Sequence, residues 1–139
     1  MDIRLTDLKN ANDLEILSRE SHKEFKYWTY ENKKSFRKIL KKKNEGIYIA
    51  KIGNKIVGYL HFEYIKEKRR LWIEQIYVLR EFRKNNVAKN LIIKLIKKWR
   101  KIKFINIVLL TADRNVKIFE KLRFRKTMNY MEYVLTKKR

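Results

Sequence analysis

The sequence contains no cysteine and no proline, and it has only three glycines. The absence of cysteine excludes disulfide bonds, thiolate metal sites and a cysteine nucleophile. No apolar run near the N-terminus resembles a signal peptide, and no run is long enough to span a bilayer. We therefore expect a cytoplasmic protein without membrane contact. The length of 139 residues suits one domain, residues 1–139, with a usable core.

Acidic residues are also scarce, because 15 Asp and Glu stand against 37 Lys and Arg and give a formal net charge of +22. Such a charge is typical of a protein with a polyanionic partner, such as RNA, DNA, a ribosomal surface or a charged cofactor. It is equally typical of a lysine-rich proteome, in which lysine is the default surface residue. The basic residues are spread along the whole chain, so both interpretations stay open. No spacing of His, Asp and Glu indicates a metal site.

The N-terminal third predicts one short strand and two helices. Residues 2–5 predict a strand, and Thr6 is placed to cap a helix that runs to about Ser18. A second helix is predicted over 33–43. The aromatic segment EFKYWTYE between the helices favours a packed connection, with a wall that faces the substrate as the alternative. The residues expected to face inward from the two helices are Leu8, Ala11, Leu14, Leu17, Phe36, Ile39 and Leu40.

The middle of the chain carries the strongest strand signals. The runs IYIAKI and KIVGYLHFEYI flank a Gly53-Asn54 turn, which is the pattern of a β-hairpin. LWIEQIYVL, residues 71–79, predicts a third strand, and residues 86–100 follow as an amphipathic helix. FINIVLL, residues 104–110, predicts a strand covered on both faces.

These elements predict an α/β fold. The strand at 71–79, the helix at 86–100 and a strand at 104–111 form a βαβ unit with parallel strands. A short helix from Asp113 or Arg114 to Leu122 follows, and RFRKTM and YMEYVLT predict a terminal hairpin. The expected architecture is a mixed, mostly antiparallel sheet with a central parallel βαβ unit and helices on both faces.

The loop at 80–86 is the main candidate for a binding site. Ligands of a βαβ unit bind where strand ends meet a helix N-terminus, and the free N–H groups and dipole there attract anions. Arg83, Lys84 and Lys89 add positive charge, so the loop could hold a pyrophosphate. The sequence matches neither a G-x-G-x-x-G nor a Walker motif.

Two blocks of sequence give this loop a more specific meaning. Ile76–Val78 (IYV) is followed by Arg83–Ala88 (RKNNVA), and a later block reads Phe119–Phe124 (FEKLRF). The chain resembles the GNAT superfamily of acyl-CoA-dependent N-acetyltransferases, in which a strand ending in apolar-x-Val precedes Arg/Gln-x-x-Gly-x-Gly/Ala and a later Tyr-x-Lys-x-Gly-Phe. The likeness covers nearly the whole chain, so a single N-acetyltransferase-like domain is expected. Asn86, Phe119 and Arg123 depart from the family's glycine, tyrosine and glycine.

The resemblance implies that acetyl-CoA is the cosubstrate. Backbone groups of the apolar-x-Val block would pair with the pantetheine arm, and the N–H groups of residues 84–89 would hold the diphosphate. Asn115, at the start of the short helix, is a further cofactor contact. The residues implied in cofactor binding are Ile76, Tyr77, Val78, Arg83, Lys84, Asn85, Asn86, Val87, Ala88, Lys89, Asn115 and Phe119.

The resemblance also implies direct attack of an amine on the thioester in a ternary complex, since there is no cysteine for a covalent intermediate. Glu74 is the first candidate for the general base and Glu63 the second. A backbone N–H around Tyr77 or Val78 would meet the oxyanion. Since Phe119 cannot donate a proton, the thiolate would be protonated by water or by a tyrosine. The candidate tyrosines are Tyr64, Tyr130 and Tyr133.

The acceptor is left open by the sequence. Amines of proteins, polyamines, small molecules and aminoacyl-tRNA all suit the chemistry, and the +22 charge favours an acceptor associated with RNA or the ribosome over a polyamine, unless the acceptor groove is acidic. Because of Phe119 and Asn86, two alternatives remain: a weakened acyl-CoA-binding domain, or a nucleic-acid-binding module on the same scaffold. Either a monomer or a homodimer is compatible with the sequence.

Overall fold

The structure, a computed structural model, describes residues 1–25, 30–102, 106–112, 115–129, 131–133 and 135. Residues 1–109 form one compact unit and residues 110–139 a second, smaller one. No helix in the described residues is long and apolar enough to cross a membrane. The strands and α-helices are β1 (Asp2–Leu5), α1 (Ala11–Glu24), α2 (Lys33–Lys41), β2 (Glu45–Ile52), β3 (Lys55–Ile65), β4 (Arg70–Val78), α3 (Val87–Trp99), β5 (Asn106–Leu109) and α4 (Val116–Lys121).

The five strands form one sheet in the order β1-β2-β3-β4-β5. The first three pairings are antiparallel, and β4 pairs with β5 in parallel across α3. Gly53 adopts φ 62° in the β2–β3 turn, as a tight hairpin requires. The predicted α/β class, the hairpin and the parallel βαβ unit are therefore confirmed.

Helices cover both faces of this sheet, as predicted. On one face α1 and α2 bury their apolar stripe against Ile47, Ile49, Tyr59 and Tyr77. On the other face the ring of Phe62 packs edge-on against that of Trp99 at the end of α3, with ring centroids 6.0 Å apart. The helix residues buried on the two faces are Ala11, Leu14, Leu17, Phe36, Ile39, Val87, Leu91, Ile92 and Leu95.

The start of the first helix differs from the sequence-based prediction. Asp7, not Thr6, is the N-cap, and it caps a 3₁₀ turn over Leu8–Asn10 that leads into α1. Thr6 is not free to cap because its hydroxyl donates to the Asn10 side chain at 2.8 Å. The 3₁₀ turn also rotates Leu8 outward to 44% exposure, so its predicted burial was wrong. The helix runs to Glu24, six residues past Ser18.

Further differences lie in α2, in β5 and in the C-terminal part of the chain. The second helix ends at Lys41, and Leu40 is half-buried against the core. In β5, Asn106 is exposed and the other three residues are half-buried, so its predicted complete coverage was wrong. Residues 123–129, 131–133 and 135 form no strand, so the described part of the tail contains no terminal hairpin. The runs RFRKTM and YMEYVLT predicted strands there, but strand propensity carries no information about a pairing partner. The segment 26–29, most of the predicted aromatic connection, lies outside the described residues.

The close approach of β3, β4 and α3 depends on a glycine. A Cβ on Gly58 would lie 2.9 Å from the Tyr77 carbonyl oxygen and 3.2 Å from methyl carbons of Val78 and Val87. We expect Gly58→Ala to lower the free energy of unfolding by about 1–3 kcal/mol, the usual cost of overpacking. Chemical denaturation measures this change.

Gly53→Asn is the matched control. A Cβ at Gly53 would meet nothing within 4 Å, and asparagine tolerates the left-handed conformation there. We expect that variant to remain close to the parent chain. Equal stability of Gly58→Ala and the parent would show that the strands and helix separate without cost.

Candidate functional site

A β-bulge interrupts β4 at Glu74. His61 pairs with Gln75 while the next residue, Phe62, pairs with Ile73, so Glu74 is an extra residue in the strand. The ladder between β4 and β5 also ends here, since its last pair joins Ile73 to Leu109. Bulges bend the strand that carries them. Beyond the bulge, β4 pairs with β3 on one side, and its other side is not paired with β5. We call this side of β4 the open edge.

The backbone groups along this open edge can be assigned from the hydrogen-bond alternation. The Leu79 N–H donates to the Val57 carbonyl at 2.9 Å, so residues 79 and 57 form a bonded pair. In an antiparallel ladder every second residue turns its N–H and C=O away from the partner. Tyr77 therefore points its backbone groups towards β3, whereas Ile76 and Val78 point theirs to the open edge.

The junction between β4 and α3 presents unpaired amides. A 3₁₀ helix over Arg80–Asn85 leads into Asn86, which adopts a left-handed conformation with φ 58° and ψ 28°. Asn86 makes no side-chain cap, and α3 has no acidic residue in its first turn. The first amides of the helix and its dipole are thus available to an anion. Asparagine tolerates this left-handed conformation better than most residues do.

Arg83 is held by an ion pair with α1. Its Nη1 and Nη2 donate to the two Glu24 carboxylate oxygens at 2.5 and 2.6 Å, and its Nε donates to the Val78 carbonyl at 3.0 Å. The Tyr77 hydroxyl also donates to Glu24, at 3.2 Å. Arg83 holds the pKa of Glu24 below its usual value, and burial with the adjacent Glu24 charge raises the pKa of Tyr77 to about 12. Nothing in the sequence pattern had singled out Glu24.

A polar groove of about 280 Å³ opens beside this ion pair. It lies where the C-terminal end of α1 meets the end of β4 and the 3₁₀ helix that follows. Its lining carries charged groups of both signs, which suits a polar ligand. The lining residues are Glu20, Lys23, Glu24, Tyr77, Leu79, Arg80 and Glu81.

Glu74 is exposed at the bulge and has other carboxylates as neighbours. Partial burial is the largest cause that raises the pKa of Glu74, and repulsion from Glu63 and Glu45 raises it further. Glu63 and Glu45 are register partners on β3 and β2. Glu45 is itself paired, with His61 Nε2 at 2.7 Å and with Lys42 Nζ at 3.0 Å. His61 is thus hydrogen-bonded on a strand.

A partly buried hydrogen-bond chain holds α1 on β3 and β4 beside the bulge. The Tyr59 hydroxyl donates to Gln75 Oε1 at 2.6 Å, and Gln75 Nε2 donates to the Ser21 hydroxyl at 2.9 Å. Ser21 lies on the buried face of α1. Polar residues in apolar runs were the only signal in the sequence that could have suggested this chain.

The smaller unit contains Asn115 and Phe119. Asn115 is the residue that precedes α4, and the Phe119 ring packs edge-on against Phe124 with centroids 5.8 Å apart. Of the tyrosines considered as acids, Tyr64 lies against Trp99 with ring centroids 5.1 Å apart and Tyr133 is exposed. Tyr130 lies outside the described residues.

Comparison with known proteins decides the family. The model of the acetyltransferase (GNAT) family matches residues 11–124. The chain belongs to the GNAT acetyltransferase family. A GNAT member is an acyl-CoA-dependent N-acetyltransferase, so the chain is an enzyme of this type. No curated protein matches this GNAT acetyltransferase by sequence.

Solved structures share its fold. An aminoglycoside acetyltransferase from an uncultured soil metagenomic sample, in complex with sisomicin, is 16% identical, covers 97% of this chain and 96% of its own, and has a TM-score of 0.77. A ribosomal-protein-alanine N-acetyltransferase from Brucella melitensis biovar Abortus 2308 is 19% identical, covers 97% of both chains and has a TM-score of 0.74. A possible acetyltransferase from Clostridium difficile 630 is 17% identical, covers 98% of both chains and has a TM-score of 0.78. At these identities the likeness establishes the GNAT fold.

The left-handed conformation at Asn86 gives a direct test of the junction. A β-branched residue tolerates positive φ poorly, so we expect Asn86→Val to lower the free energy of unfolding by about 1–2 kcal/mol. Asn86→Gly should keep the stability of the parent, because glycine adopts this conformation freely. Denaturant titration measures both.

Asn85→Val is the control, since Asn85 is the neighbouring residue and ends the 3₁₀ helix instead of taking a positive φ. If Asn86→Val and Asn85→Val lose the same stability, the backbone conformation at Asn86 is not what matters there.

Proposed function

We propose that this acetyltransferase transfers an acetyl group from acetyl-CoA to a primary amine by direct attack in a ternary complex. The observation that carries the proposal is the open edge of β4 beyond Ile73, which leads straight to the amides that begin α3. An extended arm with amide groups fits the first feature, and a diphosphate fits the second. Acetyl-CoA carries both, joined in that order.

The open edge would bind the pantetheine arm. Ile76 offers its N–H and C=O there and Val78 its N–H, while the Val78 carbonyl already accepts from Arg83. These groups can pair with the amides of the arm as an added strand would. Residues 84–89 would hold the diphosphate through their backbone N–H groups, with Lys84 and Lys89 adding positive charge. An amide at the open edge would also stabilise the oxyanion, and this orientation supports Val78 over Tyr77.

Glu74 would take the proton of the amine, directly or through a water molecule. The amine nitrogen forms a bond to the thioester carbonyl carbon, the carbon–sulfur bond breaks, and the thiolate leaves. Because its pKa is raised, Glu74 is a stronger base than an ordinary glutamate. Water would protonate the thiolate, whose solution pKa is about 8.5 by comparison with cysteine.

The acceptor is proposed to be an amine with further positive charge. Glu45 and Glu63 lie close enough to Glu74 to raise its pKa, so this side of the sheet is acidic despite the net charge of +22. The second candidate is a protein amine on the ribosome or an RNA complex, which the basic surface favours. A screen that measures thiol release separates the two by comparing aminoglycosides and polyamines with peptides bearing free N-termini.

A negative charge at the start of α3 should block the cosubstrate. We expect Ala88→Asp to weaken acetyl-CoA binding by about 2 kcal/mol or more, because it places a like charge beside the diphosphate. An acidic residue in the first turn favours a helix, so the fold should be preserved. Isothermal titration calorimetry at low salt measures the affinity.

Asn12→Asp is the control, because it adds the same charge in the first turn of α1, at the end opposite Glu24. Its affinity for acetyl-CoA should equal that of the parent chain. Absence of binding by the parent itself would refute the proposed function.

Removal of the carboxylate at the bulge should affect turnover and not binding. We expect Glu74→Gln to lower kcat by about 10²-fold, the usual worth of a general base, with acetyl-CoA affinity nearly unchanged. Glu67→Gln, in the 3₁₀ helix between β3 and β4, is the control and should keep the parent rate. Unaltered turnover in Glu74→Gln would remove Glu74 from the mechanism.

The pH dependence of kcat/KM tests the role of Glu74 independently. Glu74 acts as a carboxylate, so kcat/KM should fall with decreasing pH through its raised pKa, above the usual value for glutamate of about 4.3. Glu63→Gln removes a repulsive neighbour, so it should lower that pKa and move the acid limb to lower pH. Loss of turnover in Glu63→Gln would instead identify Glu63 as the base.

A further inference from the structure

Arg83 is engaged on both of its hydrogen-bonding edges. Its terminal edge forms a fork on Glu24, with N–O distances of 2.5 and 2.6 Å. On its side edge the Nε–H donates to the Val78 carbonyl at 3.0 Å. An arginine that clasps a phosphate uses one of these edges. In this arrangement neither edge is presented to an anion.

The plane of the guanidinium is also fixed. Its central carbon lies 5.6 Å from the centre of the Tyr77 ring and 5.9 Å from that of Phe25. The Tyr77 hydroxyl donates to the same Glu24 carboxylate that holds Arg83. Aromatic faces, carboxylate and carbonyl together leave the Arg83 side chain one orientation.

Glu24 occupies a position that the helix alone disfavours. It is the last residue of α1, where the helix dipole repels a carboxylate, and the same turn contains Lys23. Its side chain is only 15% exposed, and besides Arg83 it has a longer ion pair with Arg80 Nη2, at 3.5 Å. Removal of Arg83 would therefore leave a poorly hydrated charge with only this weaker partner and the Tyr77 hydroxyl. The contacts with the two arginines, and not local helix stability, account for a glutamate here.

We propose that Glu24 and Arg83 form a positioning pair, in which Glu24 holds Arg83 on the end of β4 and the pair shapes loop 80–86 without touching the bound diphosphate. The family resemblance implied that Arg83 binds the cofactor; the pair gives it an indirect role instead. Because α1 carries Glu24, the pair also ties this helix to the cofactor loop. The inference rests on the proposed function and deepens it.

The sign of one mutational effect separates positioning from direct contact. If Arg83 binds the diphosphate, Glu24→Gln frees the guanidinium and removes a nearby negative charge, so acetyl-CoA should bind more tightly. If the pair positions the loop, Glu24→Gln should weaken binding about tenfold, the scale of a lost charged hydrogen bond. Titration calorimetry with acetyl-CoA measures this sign.

Glu20→Gln is the matched control. Glu20 is on the same helix and lines the same groove, but its carboxylate contacts Lys23 at 3.4 Å and not Arg83. It makes the same change of charge, so it measures the general electrostatic effect on a polyanionic ligand. The effect of Glu24→Gln is read relative to Glu20→Gln.

Variants of Arg83 complete the test. Lysine keeps the charge but cannot form the fork, so positioning predicts that Arg83→Lys loses affinity as Arg83→Gln does, whereas direct contact predicts that lysine retains most of it. The double variant Glu24→Gln/Arg83→Gln should be no weaker than either single variant. In steady-state assays the change should appear in KM for acetyl-CoA, with kcat little altered. Far-ultraviolet circular dichroism checks that each variant is folded. If Glu24→Gln does not fold, the affinity of Arg83→Lys for acetyl-CoA decides between positioning and direct contact.

The outcomes distinguish this inference from the proposed function. A parent chain that does not bind acetyl-CoA refutes the proposed function and the inference with it. A parent chain that binds, together with tighter binding by Glu24→Gln or retained affinity in Arg83→Lys, refutes the positioning pair alone. Weaker binding by Glu24→Gln, Arg83→Lys and Arg83→Gln, with a non-additive double variant, supports it.

Discussion

The end of the β4–β5 ladder at Ile73 is the constraint on which the rest of the site depends. Backbone N–H and C=O groups inside a sheet need partners, and those of Ile76 and Val78 on the open edge have none from β5. The bulge at Glu74 bends β4 at the same place. Under the proposed function, the open edge binds the arm of the cosubstrate and the Glu74 carboxylate beside it takes the proton of the amine.

The positions of the charged side chains matter more to the candidate site than the net charge of the chain. The net charge is +22, yet Glu24, Glu45, Glu63 and Glu74 all gather on the face of the sheet that α1 and α2 cover. One of them holds Arg83 at the end of β4, and the other three make the surroundings of the bulge acidic. Under the proposed function, a base with a raised pKa and an anion-binding loop lie in one small unit.

Periodicity and turn chemistry were sufficient to predict the hairpin, the βαβ unit and the loop at 80–86. The family resemblance placed Asn86 where the family has a glycine, and Asn86 takes a positive φ. Contacts between distant segments could not be predicted: Glu24 and Arg83 are 59 residues apart, and Gln75 and Ser21 are 54 apart. The predicted cap at Thr6 was wrong because Thr6 and its neighbour Asp7 are both suitable N-cap residues. The predicted terminal hairpin was wrong because strand propensity does not determine which strand a segment pairs with.

Amide hydrogen exchange with and without acetyl-CoA tests the central claim most directly, since the claim concerns backbone groups that substitution cannot remove. The account predicts that acetyl-CoA slows exchange at two places, the amides of Ile76 and Val78 on the open edge of β4 and the amides of residues 84–89. Peptides from β1 and the β2–β3 turn should exchange at unchanged rates. Binding of acetyl-CoA without protection at the open edge and the loop would contradict the account.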